Sequence, residues 1–168
     1  SMLSISKLEA GKFVLKPELF DFRELLCNIV ISQEQRIENK KIEITGLDEI
    51  HSISVTADRD LIHQVIYNLV DNSVKFVNEG GNIDFKTNTD GKKLVFSIKN
   101  TGKGIPENEL PYVFDRFYKV DKSRSANKNS TGLGLYIVKT IVKAHGGTVT
   151  VSSRENDFTE FSVTLPLS

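Results

Sequence analysis

The feature that most constrains the fold is a hairpin signal near the middle of the chain. Residues 82–88 and 93–100 each alternate apolar and polar side chains, and Asp90-Gly91 lies between them. An Asp-Gly pair between two alternating stretches is typical of a tight turn that joins antiparallel strands. Because only one face of such strands is apolar, we expect a sheet with helices packed on one face.

Helical and extended patterns elsewhere in the chain fit this arrangement. Helices are predicted from about Phe22 to Asn39, after an N-cap at Asp58 up to Gly80-Gly81, and over 132–145 before Gly146-Gly147. The remaining alternating stretches predict strands at 13–20, 41–45, 52–56, 148–153 and 158–166, the first an edge strand because it contains Pro17. Three main helices and six or seven strands with several hairpins indicate the α+β class.

Composition excludes several classes of protein. The 168 residues fit one ordinary domain, and 22 basic residues balance 22 acidic ones, so no global positive charge favours nucleic acid or anionic lipid. Cys27 is the single cysteine, which excludes an internal disulfide. No apolar run approaches the roughly 20 residues of a membrane-spanning helix, so we expect a soluble fragment. Ser1 before Met2, and a short helical pattern that Gly11 ends, predict a piece of a longer protein.

A stretch of about thirty residues between Thr101 and Thr131 lacks regular periodicity. Structureless stretches of this length in a compact domain are usually lids or binding loops. Two glycine segments flank it, TGKGI at 101–105 and TGLGL at 131–135. Glycines that open a helix aim free N–H groups and the positive end of the helix dipole at one point, which suits a phosphate.

The helix after Asp58 carries a polar face whose role the helix alone leaves open. At 100° per residue, Asn68, Asn72 and Lys75 fall within about 60° of each other. One interpretation is a solvated face. The other is the polar wall of a nucleotide pocket, in which Asn72 supplies an oxygen to Mg²⁺ and Lys75 meets a phosphate.

Four segments in order resemble the ATP-binding domain of bacterial sensor histidine kinases. NLVDNSVKF, NTGKGI, VFDRFYKVD and STGLGLYIVK are similar to the N, G1, F and G2 boxes of that family. The family lies in the superfamily of gyrase B, heat-shock chaperone and mismatch-repair ATPases. The resemblance implies a Bergerat-type two-layer α/β sandwich, with three main helices on one face of a mixed, mostly antiparallel sheet. It also implies that residues 1–11 end a dimerisation helix and that residues 12–168 form the catalytic domain.

The resemblance assigns a role to each matching position. Asn72 matches the Mg²⁺ ligand, and Lys119 matches a basic side chain near the phosphates. Tyr118 matches a residue that closes over the nucleotide, and Asn68 and Lys119 are the candidate catalytic residues. The other implied nucleotide contacts are Lys75, Phe76, Asn100, Gly102, Gly104, Ile105, Gly132, Leu133, Gly134 and Leu135.

The implied activity is transfer of the ATP γ-phosphate to a histidine on a separate dimerisation domain. The implied cofactors are ATP and Mg²⁺, and the implied partners are that phosphoacceptor domain and a response-regulator receiver domain. The fragment alone is expected to bind ATP without phosphorylating itself. None of His51, His63 and His145 matches the phosphoacceptor; His145 is interpreted as a helix cap. The implied location is the cytoplasm. The parent protein can be anchored in a membrane with this domain on the cytoplasmic side.

Position 68 separates this activity from its rivals. Hydrolytic members of the superfamily carry a glutamate there as general base, whereas Asn68 has no useful basicity near neutral pH. This disfavours a hydrolase and leaves Asn68 able to orient the acceptor imidazole. Two further candidate functions are an anti-sigma-type serine kinase and a non-catalytic, nucleotide-sensing interaction module.

Asn100 departs from the family, which usually has aspartate at this position to accept a hydrogen bond from the adenine amino group. An amide oxygen can accept the same bond, and the amide NH₂ adds a donor. If the amide can flip, we expect weaker discrimination of ATP from GTP than in an Asn100→Asp variant. The opposing hypothesis is that neighbouring groups pin the amide with its oxygen towards the base.

Overall fold

The predicted hairpin forms around the Asp90 carboxylate in the computed structural model. Asp90 Oδ1 accepts hydrogen bonds from the backbone N–H groups of Lys92 and Lys93, both at 3.0 Å. Gly91 has φ +88°, a conformation that glycine adopts without strain. The structure describes residues 6–7, 9–10, 14–118 and 132–167.

The described residues contain strands and helices close to the predicted ones. The strands are β1 (Pro17–Asp21), β2 (Glu43–Thr45), β3 (Ser54–Asp58), β4 (Asn82–Thr89), β5 (Lys93–Thr101), β6 (Thr148–Arg154) and β7 (Phe158–Pro166). The helices are α1 (Phe22–Ser32), α2 (Glu34–Asn39), α3 (Arg59–Phe76) and α4 (Gly134–Ala144), with 3₁₀ turns at Leu47–Glu49 and Glu107–Tyr112. Residues 6, 7 and 9 are also helical, which agrees with the short helix predicted at the start of the chain.

The main sheet is mixed and mostly antiparallel, as predicted. Its five strands lie in the order β2-β4-β5-β7-β6, and only β2 and β4 run parallel. Strands β1 and β3 form a separate antiparallel pair. The central strands β5 and β7 pair along their full length and place Asn100 opposite Thr159, far apart in sequence.

One face of the sheet is covered and the other is polar. Phe85, Phe96 and Phe161 point into the core from adjacent strands and are at most 1% exposed. Phe22 of α1 packs edge-on against Phe96, with ring centroids 5.3 Å apart. On the opposite face the hydroxyls of Ser97 and Ser162 are hydrogen-bonded at 2.8 Å. The alternation therefore produces the two-layer sandwich that the resemblance implies.

The predicted helix from Phe22 to Asn39 was wrong in one respect, because it is broken at Gln33. Gln33 has φ −100° and ψ 8°, and its N–H donates to the Val30 carbonyl. The buried stripe of α1 ends at Val30, whereas α2 has no fully buried residue and contacts the core through the half-buried Ile37.

Helices α3 and α4 are antiparallel neighbours tied at one end. Asp58 caps α3 as predicted, since its Oδ1 accepts from the Leu61 N–H at 3.2 Å. The backbone N–H of Asp58 donates to Nε2 of His145 at 3.1 Å, and Nδ1 of His145 lies 2.9 Å from the Ile141 carbonyl. His145 therefore caps α4, as the sequence predicts. No helix in the described ranges has the length and apolar character needed to cross a bilayer.

Candidate nucleotide-binding site

The polar face of α3 forms one wall of a cleft of about 460 Å³. Asn72, Lys75 and Phe76 line this cleft, whereas Leu69 and Ser73 on the other side of the helix are fully buried in the core. Within the described ranges the Asn72 side chain makes no hydrogen bond, so its amide oxygen is available to a ligand. The pocket-wall interpretation of this face therefore fits the structure.

Asn100, at the end of β5, places a buried acceptor in the same cleft. Its side chain is 3% exposed, and its Nδ2 donates to the Thr101 carbonyl at 2.9 Å. Its Oδ1 is buried and has no hydrogen-bond partner among the described residues. An unsatisfied buried acceptor costs about 1–3 kcal/mol, which a ligand that donates a hydrogen bond would recover. The bond to Thr101 favours the pinned orientation, with the oxygen free to accept from the base.

The first glycine segment packs against the chain itself. Gly102 has φ +145°, and a Cβ there would lie 2.6 Å from the Phe76 carbonyl oxygen. Gly104 has φ +69°, and a Cβ there would lie 2.3 Å from the Arg154 carbonyl oxygen. The glycines therefore allow the turn after β5 to touch both the end of α3 and the β6–β7 turn. Gly102, Gly104 and Ile105 all line the cleft, as predicted.

The β6–β7 turn supplies cleft residues that sequence reasoning missed. Its Asn156 N–H donates to the Lys103 carbonyl at 2.5 Å, which places the turn over the glycine segment. The missed lining residues are Val77, Asn78, Lys103, Pro106, Glu109, Glu155, Asn156, Thr159 and Phe161. Glu155, Asn156, Thr159 and Phe161 have no local signal, because the long-range pairing of β5 with β7 brings them to the site. The other missed residues directly follow α3 or lie within or just after the first glycine segment.

Lys40 and Arg36, which lie outside the cleft, contact the last turns of α3. Lys40 Nζ donates to the carbonyls of Val74 and Lys75, both at 2.9 Å. Burial lowers the pKa of Lys40, and the nearby positive charge of Arg36 lowers it further. The ammonium of Lys75 lies 3.6 Å from the Asp71 carboxylate, which also binds Arg36 at 2.8 Å. The cation predicted to meet a phosphate is thus held near the helix surface by Asp71.

The second glycine segment lies at the start of α4, and only part of it lines the cleft. Leu135 lines it, whereas Gly132, Leu133 and Gly134 are outside the lining. Gly132 has φ +73°, and its carbonyl accepts from the Phe117 N–H at 2.9 Å. This bond joins the described residues on either side of 119–131.

The remaining predicted residues lie beside the cleft or outside the described ranges. Tyr118 donates its hydroxyl to Glu109 Oε1 at 2.9 Å, and Glu109 lines the cleft. Burial raises the pKa of the Tyr118 phenol, and the neighbouring Glu109 raises it further. Asn68 does not line the cleft; its amide bonds to Gln64 and Gly134. Lys119 lies outside the described residues.

Comparison with known proteins agrees with this geometry. Residues 57–168 match a family described as histidine kinase-, DNA gyrase B- and HSP90-like ATPases. The chain is 33% identical over 165 residues to the heme sensor protein HssS of Staphylococcus haemolyticus, covering 98% of this chain and 35% of HssS. It is 33% identical over 167 residues to the sensor histidine kinase WalK of Bacillus subtilis, covering 98% of this chain and 27% of WalK. The chain therefore spans about a third or less of these relatives.

Solved structures show the same fold. The catalytic domain of the histidine kinase ThkA superposes with a TM-score of 0.76 at 29% identity, covering 90% of this chain and 96% of that domain. ThkA in complex with the response regulator protein TrrA gives a TM-score of 0.74 at 28% identity, covering 99% of this chain and 47% of the ThkA chain. Full-length ShkA in complex with AMPPNP gives a TM-score of 0.81 at 26% identity, covering 99% of this chain and 34% of the ShkA chain.

Fold, cleft and relatives together define an ATP-binding domain of the Bergerat type. The chain belongs to the family of histidine kinase-, DNA gyrase B- and HSP90-like ATPases, and within it corresponds to the catalytic domain of sensor histidine kinases.

Proposed function

We propose that this domain binds ATP with Mg²⁺ in the cleft and transfers the γ-phosphoryl group to a histidine on a separate dimerisation domain. The observation that carries the proposal is that two side chains with free hydrogen-bonding groups line the same cleft. Asn100 Oδ1 is a buried acceptor without a partner among the described residues, and the Asn72 amide makes no hydrogen bond within them. The first suits the amino group of a purine and the second suits a cation that prefers oxygen ligands.

Asn72 is the residue that would hold Mg²⁺. Its neighbour in the cleft lining, Asn78, is less suited, because its side-chain oxygen already accepts from a threonine hydroxyl at 2.6 Å. The Asn72 oxygen accepts no hydrogen bond within the described ranges, so it can serve as a ligand to the metal. When bound, the metal neutralises charge on the triphosphate during transfer. Lys75 adds a second positive charge at the same end of the cleft, and Lys119 is proposed to add another.

The proposed reaction leaves little covalent chemistry to the protein. The bond between the γ-phosphorus and the bridging oxygen breaks, the imidazole nitrogen of the acceptor bonds to phosphorus, and the imidazole gives up its proton to water. Position 68 supports transfer to an external nucleophile, because an amide cannot serve as a base for water. Positioning by the cleft supplies most of the catalysis in such a reaction.

The proposed partners extend beyond the described residues. Residues 1–11 are proposed as the end of the dimerisation helix that carries the acceptor. Within this segment, the Glu9 carboxylate contacts the rest of the domain through hydrogen bonds from Arg116 and from the hydroxyl of Tyr136 in α4. The structure of ThkA with TrrA supports a receiver domain as the later phosphoryl acceptor. The proposed location is the cytoplasm, where ATP is available.

Labelling with [γ-³²P]ATP tests the proposal. The chain is mixed with the dimerisation domain of its parent, and acid-labile, base-stable phosphate on that domain is measured. Labelling is expected with the wild type and lost with Asn72→Ala. Asn88→Ala, an exposed amide on β4 outside the cleft, is the matched control and should label normally. Tight ATP binding without labelled histidine would contradict the kinase proposal, and steady release of inorganic phosphate without acceptor would favour a hydrolase.

A further inference from the structure

We propose that Asn68 is a positioning residue, which ties α3 to the first residue of α4 and thereby sets the distance between Asn72 and the phosphate-binding end of α4. This inference rests on the proposed function. It assigns to Asn68 a task that acts through backbone, without contact between its side chain and the transferred phosphoryl group.

Both ends of the Asn68 amide are occupied. Its Nδ2 donates to the carbonyl of Gly134 at 3.1 Å, and its Oδ1 accepts from Gln64 Nε2 at 2.7 Å. Gln64 lies one turn earlier on the same helix. Because the Gly134 carbonyl can only accept, the NH₂ group of Asn68 must face it, and the oxygen is left to accept from Gln64. The Gly134 carbonyl therefore fixes the orientation of the Asn68 amide, and Gln64 supports it.

The position of the tie explains how it can affect ATP. Asn68 lies one turn before Asn72, and Gly134 directly precedes Leu135, which lines the cleft. The first N–H groups of α4 have no partner within the helix and are the groups that suit a phosphate. A bond from Asn68 to Gly134 holds these groups at a fixed place relative to Asn72.

A second hydrogen bond joins the same two helices at their other end. Asp58 at the start of α3 is bonded to His145 at the end of α4 at 3.1 Å. From Asp58 to Asn68 is ten residues and from Gly134 to His145 is eleven, so both ties lie about 15 Å apart along either helix. Val138, Ile141 and Val142 pack α4 into the core, and the two ties add directional bonds that fix its register along α3. Without the Asn68 tie, the only such directional bond described between the two helices would lie at the end remote from Asn72.

Reversing the polarity of Gln64 gives the sharpest test. In Gln64→Glu the donor to Asn68 Oδ1 becomes an acceptor, so the Asn68 amide turns and presents its oxygen to the Gly134 carbonyl. Asn68→Asp removes the donor to Gly134 directly. Both variants are expected to weaken ATP affinity about fivefold, the effect of one ordinary hydrogen bond. In Gln64→Glu, which leaves the Asn68 side chain itself in place, the loss should appear as weaker ATP affinity more than as a lower rate of phosphoryl transfer at saturating ATP.

A matched control lies on α2, where Gln35 Nε2 donates to Asn39 Oδ1 at 2.9 Å with the same spacing and chemistry. Gln35→Glu introduces the same charge without a link to α4 and should leave ATP affinity unchanged. The measurements are ATP–Mg²⁺ titration of the chain, thermal unfolding of each variant, and transfer to the dimerisation domain as a function of ATP concentration.

The outcomes separate the possible roles of Asn68. Lower thermal stability with unchanged ATP affinity would make the tie merely structural and overturn the inference. A collapse of the saturated rate with unchanged affinity would show that Asn68 acts on the acceptor directly and would also overturn it. A wild-type chain that binds no ATP would overturn the proposed function, whereas a wild type that binds and variants that match it would overturn the positioning role alone.

Discussion

The two ends of the cleft are built in different ways. At the proposed purine end, Asn100 and Thr159 stand opposite each other on paired central strands and are 3% and 7% exposed. At the proposed phosphate end, Lys75 and Asp71 on α3 have side chains 33% and 29% exposed, and Asn68 donates a hydrogen bond to the first residue of α4. The sheet therefore fixes the groups proposed to bind the base. The positions of the groups proposed to bind phosphate depend on how two helices are held together.

This difference predicts different effects for substitutions at the two ends. Changes at the purine end should alter stability or base recognition strongly, because the groups are buried. Changes to the side-chain bonds that support the proposed phosphate end, as distinct from the proposed Mg²⁺ ligand Asn72, should alter ATP affinity by small factors and leave the fold intact, because exposed bonds contribute little to stability.

The largest effect is expected from Gly104→Ala. The new Cβ would lie 2.3 Å from the Arg154 carbonyl oxygen in a backbone with φ +69°. Strain and the backbone clash together should reduce the free energy of unfolding by at least about 3 kcal/mol. Thermal unfolding and ATP titration check this. Gly91→Ala is the control, since φ is +88° there but no atom lies within 4 Å of the added Cβ, and it should cost only about 1–2 kcal/mol. Equal costs at the two glycines would contradict the close packing of the turn.

The next effect is expected at Asn100. Asn100→Leu removes the acceptor for the adenine amino group, so ATP affinity should fall about tenfold and the preference for ATP over GTP should disappear. The free energy of unfolding should hold or rise, because a buried atom without a partner has been removed. Nucleotide titrations and thermal unfolding measure both effects.

Asn100→Asp separates the two sequence-based hypotheses about base selectivity. Because Nδ2 is bonded to the Thr101 carbonyl, the structure predicts the same ratio of ATP to GTP affinity in this variant as in the wild type. A clearly higher ratio in the aspartate variant would show that the amide flips, as the other hypothesis requires.

A smaller effect is expected from Lys40→Met. This change removes the donor to the carbonyls of Val74 and Lys75 and so loosens the last turn of α3. ATP affinity should fall about threefold, within the range of one ordinary hydrogen bond. Lys86→Met, whose side chain is 73% exposed on β4, is the matched control and should have no effect. An unchanged ATP affinity in Lys40→Met would mean that the hydrogen bonds from Lys40 are not needed to position the last turn of α3.

The smallest effect is expected from Asp21→Asn, remote from the cleft. Burial alone would raise the pKa of Asp21, but hydrogen bonds from the Ser52 hydroxyl and the Ile53 and Arg23 N–H groups outweigh it and lower the pKa below 3.8. The stabilisation is therefore complete above pH 3.8 and is lost as the pH falls through the lower folded value. Asp21→Asn should cost less than about 1 kcal/mol near neutral pH and should flatten the acid side of the stability profile. Unfolding at a series of acid pH values measures this, and any change in ATP affinity would contradict the separation of this site from the cleft.

Sequence reasoning succeeded where the determining interactions are local. The Asp90-Gly91 turn, the Asp58 cap and the spacing of Asn72 and Lys75 on one helix face each depend on residues a few positions apart. The motif order then identified about half of the cleft lining, because the motifs carry residues that α3 and the turn after β5 contribute.

The rest depends on contacts between distant segments. Glu155, Asn156 and Thr159 reach the cleft only through the pairing of β5 with β7, which no local pattern encodes. The break at Gln33 carries no local breaking residue such as glycine or proline, and the contact of Asn68 depends on the neighbouring α4. The same helix face therefore predicted a pocket wall correctly at Asn72 without showing that Asn68 faces another helix.

A crystal structure with a non-hydrolysable ATP analogue and Mg²⁺ tests the central claim most directly. We expect a hydrogen bond from the purine amino group to Asn100 Oδ1, with Mg²⁺ on the Asn72 oxygen and the triphosphate at the start of α4. A nucleotide bound elsewhere, or a purine that leaves Asn100 Oδ1 without a partner, would contradict it.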